Sequence, residues 1–461
     1  MSTILISDCE VVVVMDDAGT EIAGGSILIE DGVISWVGAG APPNVAGAEL
    51  LDGRGMVAIP GLINAHHHLY QSVTRMWALD QGLFGWLVES YPMWAGVDGE
   101  WMRTAASVGL AELALSGCTT TTDHHYIFPN GVTGIMEAEV AVAQEVGLRF
   151  HPCRGSMDLG KSQGGLPPDS VVEDTEAILR HTEDAVKQLH DPAPGSMLRI
   201  AVAPCSPFSV TQRLMRESAA LARRLGVRLH THIAETLDEE AYCQQTFGRR
   251  PVELLEDLGW LGPDVWLAHC VHLNHQDIRR IARTGTAVAW CPTSNLYLGS
   301  GIAPAPELLA AGARIGLALD GSATGSGHML AEVRQAVLIA RGRGGAAALS
   351  ARQGLRIATR GSAQCLGRDD VGSLEVGKRA DIALFAVGGL AYAGAEADLV
   401  AALAHCFPQR VRHLLVEGQF VVRDDRLTRV DEETITAEGR SIGKRLAAQR
   451  ARSARSAGRL Q

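Results

Sequence analysis

Pro60-Gly61-Leu62-Ile63-Asn64-Ala65-His66-His67-His68-Leu69 is the stretch on which the reading of this chain turns. Residues 56–59 are an apolar run that stops at the Pro-Gly pair, as a buried strand does at a turn. A second apolar pair, Leu62 and Ile63, then runs into three histidines. Side chains alternate faces on an extended chain. His66 and His68 therefore share a face, and His67 takes the other. Two imidazoles so placed can hold a divalent metal at roughly 2.0–2.1 Å each. In a chain with 16 histidines a triplet can equally be a polar loop, so the neighbouring segments have to decide.

Downstream, over residues 60–365, short apolar runs alternate with longer helical ones. Strand-like runs fall at 119–123, 148–154, 198–204, 227–232, 265–269, 287–291 and 314–320. Helical patterns fill 101–116, 132–146, 171–190, 211–225, 239–247 and 276–283. With the strand ending at Ile63, the repeated β/α unit predicts an α/β fold, a (β/α)8 TIM barrel. The alternative is a doubly wound open sheet, but no GxGxxG follows a strand to mark a dinucleotide site. Upstream, runs 4–15 and 26–37 read as strands, with Asp31-Gly32 as a hairpin turn between β-branched residues. Residues 1–59 thus read as a small antiparallel element. Strands return at 381–385 and 411–422, with Glu417-Gly418 as a turn. Residues 1–59 and 366–430 are expected to form one composite β-sandwich into which the barrel, 60–365, is inserted. Residues 431–461 read as a helix or tail carrying Arg440, Lys444, Arg445, Arg450, Arg452, Arg455 and Arg459. They are expected to be solvated, or to meet an acidic surface of a neighbouring subunit.

Bulk properties narrow the function. The chain has 461 residues, 46% of them hydrophobic, and a net charge of −11. That acidity argues against a nucleic-acid-binding body, which needs a basic footprint. No apolar run reaches the roughly 18–20 residues that span a bilayer. The start of the chain lacks the charged region of a signal peptide. Nine scattered cysteines with no CxxC pair read as reduced thiols in a cytoplasmic protein.

Polar residues recur where apolar strands end. His232, His269 and Asp320 each close one, and strand C-termini line the active face of a barrel. Imidazoles and a carboxylate hold Zn²⁺ while leaving a position for water, whose pKa the ion lowers from 15.7 towards roughly 7. Asp320 can take that proton. Glu235, three residues beyond His232, can ferry it to a substrate, or can simply be an acid at a helix start. His124 and His125 close another strand, as ligands of a second metal or as substrate contacts. His230 shares a face with His232 one layer deeper, suited to supporting a ligand. Trp77, Phe84, Trp86, Tyr91 and Trp94 form a lid, a stacking surface or core.

Taken together these segments resemble the amidohydrolase superfamily. Residues 60–68 are similar to its PG-x-I-[ND]-x-H-x-H signature. His232-x-x-Glu235, Leu267-Ala268-His269 and Asp320-Gly321-Ser322 resemble its cytosine/guanine deaminase-like branch. Residues 372–381 resemble the G-x-[IL]-x-x-G-[KR]-x-A-D segment that opens its C-terminal β-part. The resemblance covers about residues 1–430. It implies one Zn²⁺, with Fe²⁺ in some members, held by His66, His68, His232 and Asp320. It implies Glu235 as proton shuttle and His269 as hydrogen-bond partner of the attacking water or the substrate. Within the branch, residues 66–75, 122–126, 154–157, 203–208, 234–240, 291–295 and 359–362 are most similar to 8-oxoguanine deaminases and triazine hydrolases. Cys205 stands where adenosine-type members usually carry His, which counts against a nucleoside. The run Thr324-Gly325-Ser326-Gly327-His328 departs from the Ser-Asn-Asp run of the 8-oxoguanine deaminases.

The expected activity is hydrolytic deamination of an oxo- and amino-substituted nitrogen heterocycle. 8-Oxoguanine is the first choice and isocytosine a smaller alternative. Gln71 and Arg154 are expected to read the ring edge, with Cys205 in the pocket wall. An s-triazine hydrolase is the alternative enzyme, and a non-catalytic scaffold a remote one. The expected partner is a small molecule, with neither nucleic acid nor membrane, in a homo-oligomer.

Overall fold

The structure is a computed structural model describing residues 3–457 apart from 41, 43, 44, 322–324 and 326. Among the described residues, eight parallel strands form the central sheet: Leu62–Asn64, Cys118–His125, Arg149–Ser156, Ala201–Pro204, Leu229–Ile233, Val265–His269, Ala287–Trp290 and Arg314–Leu317. They neighbour one another in chain order, as a barrel of β/α units requires. The first and eighth meet through Ala65 N–H donating to the Leu317 carbonyl at 3.0 Å. A two-strand ladder, Asp320–Gly321 beside His67–His68, continues that seam. Gly61 is required at the entry. A β-carbon there would lie 2.2 Å from Thr119 Oγ1 and Cγ2, so only glycine lets the first strand approach the second.

The flanking segments build one sheet of nine strands, joined where Met56–Pro60 pairs antiparallel with Ile382–Ala386. Alternation sorts the side chains. Val57, Ile59, Ala383 and Phe385 pack into the barrel's core, whereas Ala58, Ile382 and Leu384 close a second core with Ile6, Ile27 and Ile29. The sequence leads to the expectation of an antiparallel N-terminal element, but its pairing is mixed. Thr3–Val13 pairs in parallel with both Glu49–Asp52 and Met56–Pro60. The buried Arg149 guanidinium ties barrel to sheet, donating to both carboxylate oxygens of Asp381 at 3.0 and 2.9 Å.

Several boundaries differ from the sequence reading. The aromatic segment forms a helix, Leu83–Trp94, despite Pro92 within it. Pro251–Asp257, Met329–Gly344 and Leu399–His405 are further helices the pattern did not show. The last strand-like run is split: the barrel strand ends at Leu317, and Asp320, at φ 65°, begins the short pair with His67–His68. The C-terminal helix, Glu432–Ala457, is not a free tail. Its Ile442 and Leu446 are buried, Arg450 pairs with Glu89 at 2.9 Å, and Arg445 lies 3.4 Å from Glu100. Arg459 and the side chain of Arg455 lie outside the described residues. All nine cysteines are free. No helix among the described residues is long and apolar enough to cross a membrane.

Candidate metal centre and active site

His66, His68, His232 and Asp320 come together at the C-terminal mouth of the barrel. His68 Nε2 lies 3.1 Å from His232 Nε2. Asp320 Oδ1 lies 3.2 Å from both His66 Nε2 and His68 Nε2. The far side of each ring fixes its tautomer. His68 Nδ1–H donates to the His124 carbonyl at 2.8 Å, and His232 Nδ1–H to the Cys205 carbonyl at 2.7 Å. His230 Nδ1–H donates to the Trp266 carbonyl at 2.8 Å, which leaves its Nε2 to accept from His66 Nδ1–H at 2.7 Å. His230 is therefore the deeper supporting residue its register suggested.

Three imidazole lone pairs and one carboxylate oxygen thus face a common point without a donor among them. His66 Nε2, wholly buried, has no hydrogen-bond partner among the described residues. Four acceptors facing one another in a dry site repel unless a cation lies between them. Atoms about 2.0–2.1 Å from one tetrahedral centre would be about 3.3 Å apart, close to the separations found. The residues present fit a divalent metal, and nitrogen-rich ligation suits zinc or iron over magnesium or calcium. Burial lowers the His66 and His232 pKa values, which keeps the imidazoles in the neutral, ligating form. Burial alone would raise Asp320, but the histidine rings packed around it, His66 and His68 foremost, hold it well below the usual carboxylate range.

His67 is buried yet takes no part in this cluster. His67→Asn should therefore keep its metal and stay within about tenfold of the parent's activity. The same change at His66 or His68 should cost at least about 100-fold, since even the partners behind metal ligands are worth about 10–100-fold. Metal content and turnover of the three variants check this.

Beside the cluster lies a narrow cavity, concave as small-molecule sites are. Trp86, Tyr91, Tyr126, Phe208, Leu87 and Leu298 give it apolar walls. His269, Glu235 and Asp320 occupy its polar end. His269 accepts at Nδ1 from the Asn295 amide at 3.1 Å, so its Nε2–H points as a donor towards Glu235 Oε2, 3.4 Å away. Burial, then the charges of Asp320 and Glu239, raise the Glu235 pKa well above normal, so this carboxyl can carry a proton. Ser294 donates its hydroxyl to Asp320 Oδ2 at 2.5 Å. The buried Glu332 holds the adjoining turn, accepting from Thr293 N–H at 2.9 Å and from its hydroxyl at 2.6 Å.

Gln71, expected to read the ring edge, and Cys205, expected in the pocket wall, both line this cavity. Gln71 Nε2 donates to the Tyr70 hydroxyl at 3.1 Å, and its Oε1 has no partner among the described residues. A β-carbon on Gly321 would stand 1.8 Å from that oxygen, so glycine there makes room for the amide. Arg154 is a correction. It does not line the cavity but donates to Glu173 at 2.7 Å and lies 3.6 Å above the Phe128 ring, on a separate groove. Its charge is already neutralised there, so it is not free to read a substrate. Of the aromatic group, Trp86 and Tyr91 form wall, Trp94 is core, and Phe84 meets Phe208 with tilted rings 4.8 Å apart. His328 turns away, its Nε2 donating to the Gln409 carbonyl at 3.2 Å, while Ser322, Thr324 and Ser326 lie outside the described residues. Ser294, Asn295 and Tyr126 were missed. All three follow strand ends, the same signal that found His269.

His124 stacks on His232 at 4.5 Å and donates to the Ala203 carbonyl, 2.9 Å away, so it backs the cluster. His125 faces outward with Asp123 towards Glu139 of helix Ile135–Val146; all three are buried. Burial raises Asp123 to about 6, and burial plus the Asp123 charge raises Glu139 well above normal. Two such carboxyls cannot both ionise cheaply, so Glu139 keeps its proton. A raised folded pKa gives stability that is complete below about 4.5 and is lost as pH rises towards the folded value. Glu139→Gln removes that titration. It should match the parent's melting temperature near pH 4 and exceed it near pH 8, by at most about 1.4 kcal/mol per pH unit crossed. Thermal unfolding at the two pH values decides.

Comparison with known proteins agrees with the geometry. Residues 57–421 match the amidohydrolase family model. An 8-oxoguanine deaminase of Pseudomonas aeruginosa is 46% identical over 93% of this chain and 96% of its own. Hydroxydechloroatrazine ethylaminohydrolase of Pseudomonas sp. strain ADP is 36% identical over 97% of this chain and 96% of its own. Among solved structures, atrazine chlorohydrolase TrzN from Arthrobacter aurescens TC1, complexed with zinc, superposes with a TM-score of 0.91. It is 35% identical, covering 95% of this chain and all of that one. The chain belongs to the amidohydrolase family.

Proposed function

We propose that this chain is a metal-dependent hydrolytic deaminase that converts 8-oxoguanine and water to urate and ammonia, with isocytosine as a smaller substrate. The observation carrying the reaction type is that Glu235, whose pKa burial raises, and Asp320, which sits against His66 and His68, line one aromatic-walled cavity. The 46% identity to an 8-oxoguanine deaminase along nearly the whole chain supports the substrate.

His66, His68, His232 and Asp320 would hold one zinc or iron ion, which supplies a Lewis acid able to make water a nucleophile near neutral pH. Asp320 accepts the proton of the water that attacks the amine-bearing ring carbon. Glu235 gives its proton to the adjacent ring nitrogen, so negative charge does not build up there. His269 Nε2–H donates to the incoming oxygen, steadied by Asn295. Asp320 then passes its proton to the departing amine, which leaves as ammonia while the new carbonyl forms and the hydroxyl proton returns to Glu235. Gln71 offers an unpaired acceptor to an N–H on the ring edge, and Trp86 and Tyr91 pack against its faces.

Ammonia release over 8-oxoguanine, isocytosine, cytosine and 2-amino-s-triazines tests this. The 8-oxoguanine rate should lead. A faster 2-amino-s-triazine, or chloride release from a chlorotriazine exceeding that rate, would favour the second reading, an s-triazine hydrolase, which the fold match to atrazine chlorohydrolase supports.

A further inference from the structure

We propose that Glu239 is a positioning residue for proton transfer: its carboxylate clamps two successive backbone N–H groups and thereby aims the Glu235 side chain at the cavity. This rests on the role given to Glu235 above. Glu239 is 1% exposed. One of its oxygens accepts from Ala234 N–H and the other from Glu235 N–H, both at 2.8 Å.

A purely local role predicts a different pattern. Glu239 is the third residue of helix Leu237–Phe247, whose cap is Thr236. A capping-box acid at that position reaches back to the cap residue's own N–H. Glu239 reaches past Thr236 to the two residues before it. Thr236 still caps the helix, accepting from Glu239 N–H at 3.2 Å. The helix start is therefore anchored without the carboxylate, whose two bonds serve the loop upstream.

That loop needs holding. Ala234 sits at φ 54°, in the left-handed region, which costs about 1–2 kcal/mol for a residue with a β-carbon. Its carbonyl accepts from Val271 N–H and His272 N–H, at 2.9 Å each. With the Glu239 bond on the other side, the Ala234 peptide is fixed at both ends. Without the clamp the strained residue can relax, and the side chain that turns with it is Glu235. A displacement of about 1 Å in a reacting group can cost about 100-fold in rate.

A double-mutant cycle on the full-length metal-loaded enzyme tests this, with ammonia release from the fastest substrate as readout. Glu239→Gln keeps the shape but has one acceptor and cannot take both N–H groups. Its kcat should fall about 10–100-fold, with KM and metal content within about twofold. In a Glu235→Gln background the same change should cost less than about twofold. Glu239→Asp, which keeps the charge but falls short of both donors, should behave alike and serves if the Gln variant does not fold. Equal losses in both backgrounds would make Glu239 merely structural and overturn the proposal, as would an unchanged kcat. If Glu235→Gln itself kept full turnover, the shuttle reading would fall and take this one with it. A large Glu235→Gln loss without coupling would sink this proposal alone.

Discussion

Glu235→Gln should lower turnover of the best substrate by about 10²–10⁴-fold, the usual range for a positioned acid or base. The amide has nearly the same volume and can still lie beside Ser300, whose hydroxyl is 3.4 Å from Glu235 Oε1. It cannot deliver a proton. Substrate binding and bound metal should therefore persist while kcat collapses, because the interaction removed is made only as charge develops on the ring. Burial and the neighbouring Asp320 and Glu239 charges are what hold a proton on this carboxyl. Steady-state kinetics and metal analysis of the variant separate the outcomes. Full turnover would refute the assignment. A loss confined to KM would make Glu235 a binding group only.

The second large effect concerns Asp320. Asp320→Asn should abolish measurable activity and lower metal occupancy. The residue performs two tasks that an amide cannot combine. Its Oδ1 completes the acceptor cluster 3.2 Å from two imidazoles, supplying the only negative charge there. Its carboxylate is also the group that must take a proton from water and return it to the amine. The loss should exceed that at Glu235, since a ligand and a base disappear together. Chelation of the parent enzyme should reproduce the loss. Readdition of zinc or iron(II) should restore the parent and leave the variant inactive. Elemental analysis with the ammonia assay checks both. An Asn variant with full metal and full rate would remove Asp320 from the chemistry.

The barrel and the four-residue cluster were legible because each depends on a local pattern. Apolar strands end at His232, His269 and Asp320, and the HxH spacing puts His66 and His68 on one face. Arg154 shows where that logic fails. It too lies near a strand end, but a partner 19 residues away, Glu173, claims its guanidinium. Sequence spacing carries no sign of a charge already spent. The C-terminal helix was read as solvated because its arginines dominate its composition, whereas Ile442 and Leu446 anchor it. The helix Leu83–Trp94 was hidden by Pro92 and by aromatic residues that suit either a loop or a wall. Glu239 was legible only as an acid at a helix start, because its partners depend on how the chain turns at Ala234.

The seam where the first strand meets the last bears on how the protein is made. Leu319 N–H donates to Asn64 Oδ1 at 3.0 Å and Asp320 N–H to the His66 carbonyl at 3.1 Å, across some 255 positions of chain. During synthesis at about 5–20 residues per second, His66 and His68 wait through the rest of the barrel before Asp320 exists to join them. Such distant pairings are also the slow ones in folding. On the proposed function, high-affinity metal loading is thus a late event, coincident with ring closure. An unfinished or open barrel offers loose histidines, and the ion can report completion of the fold.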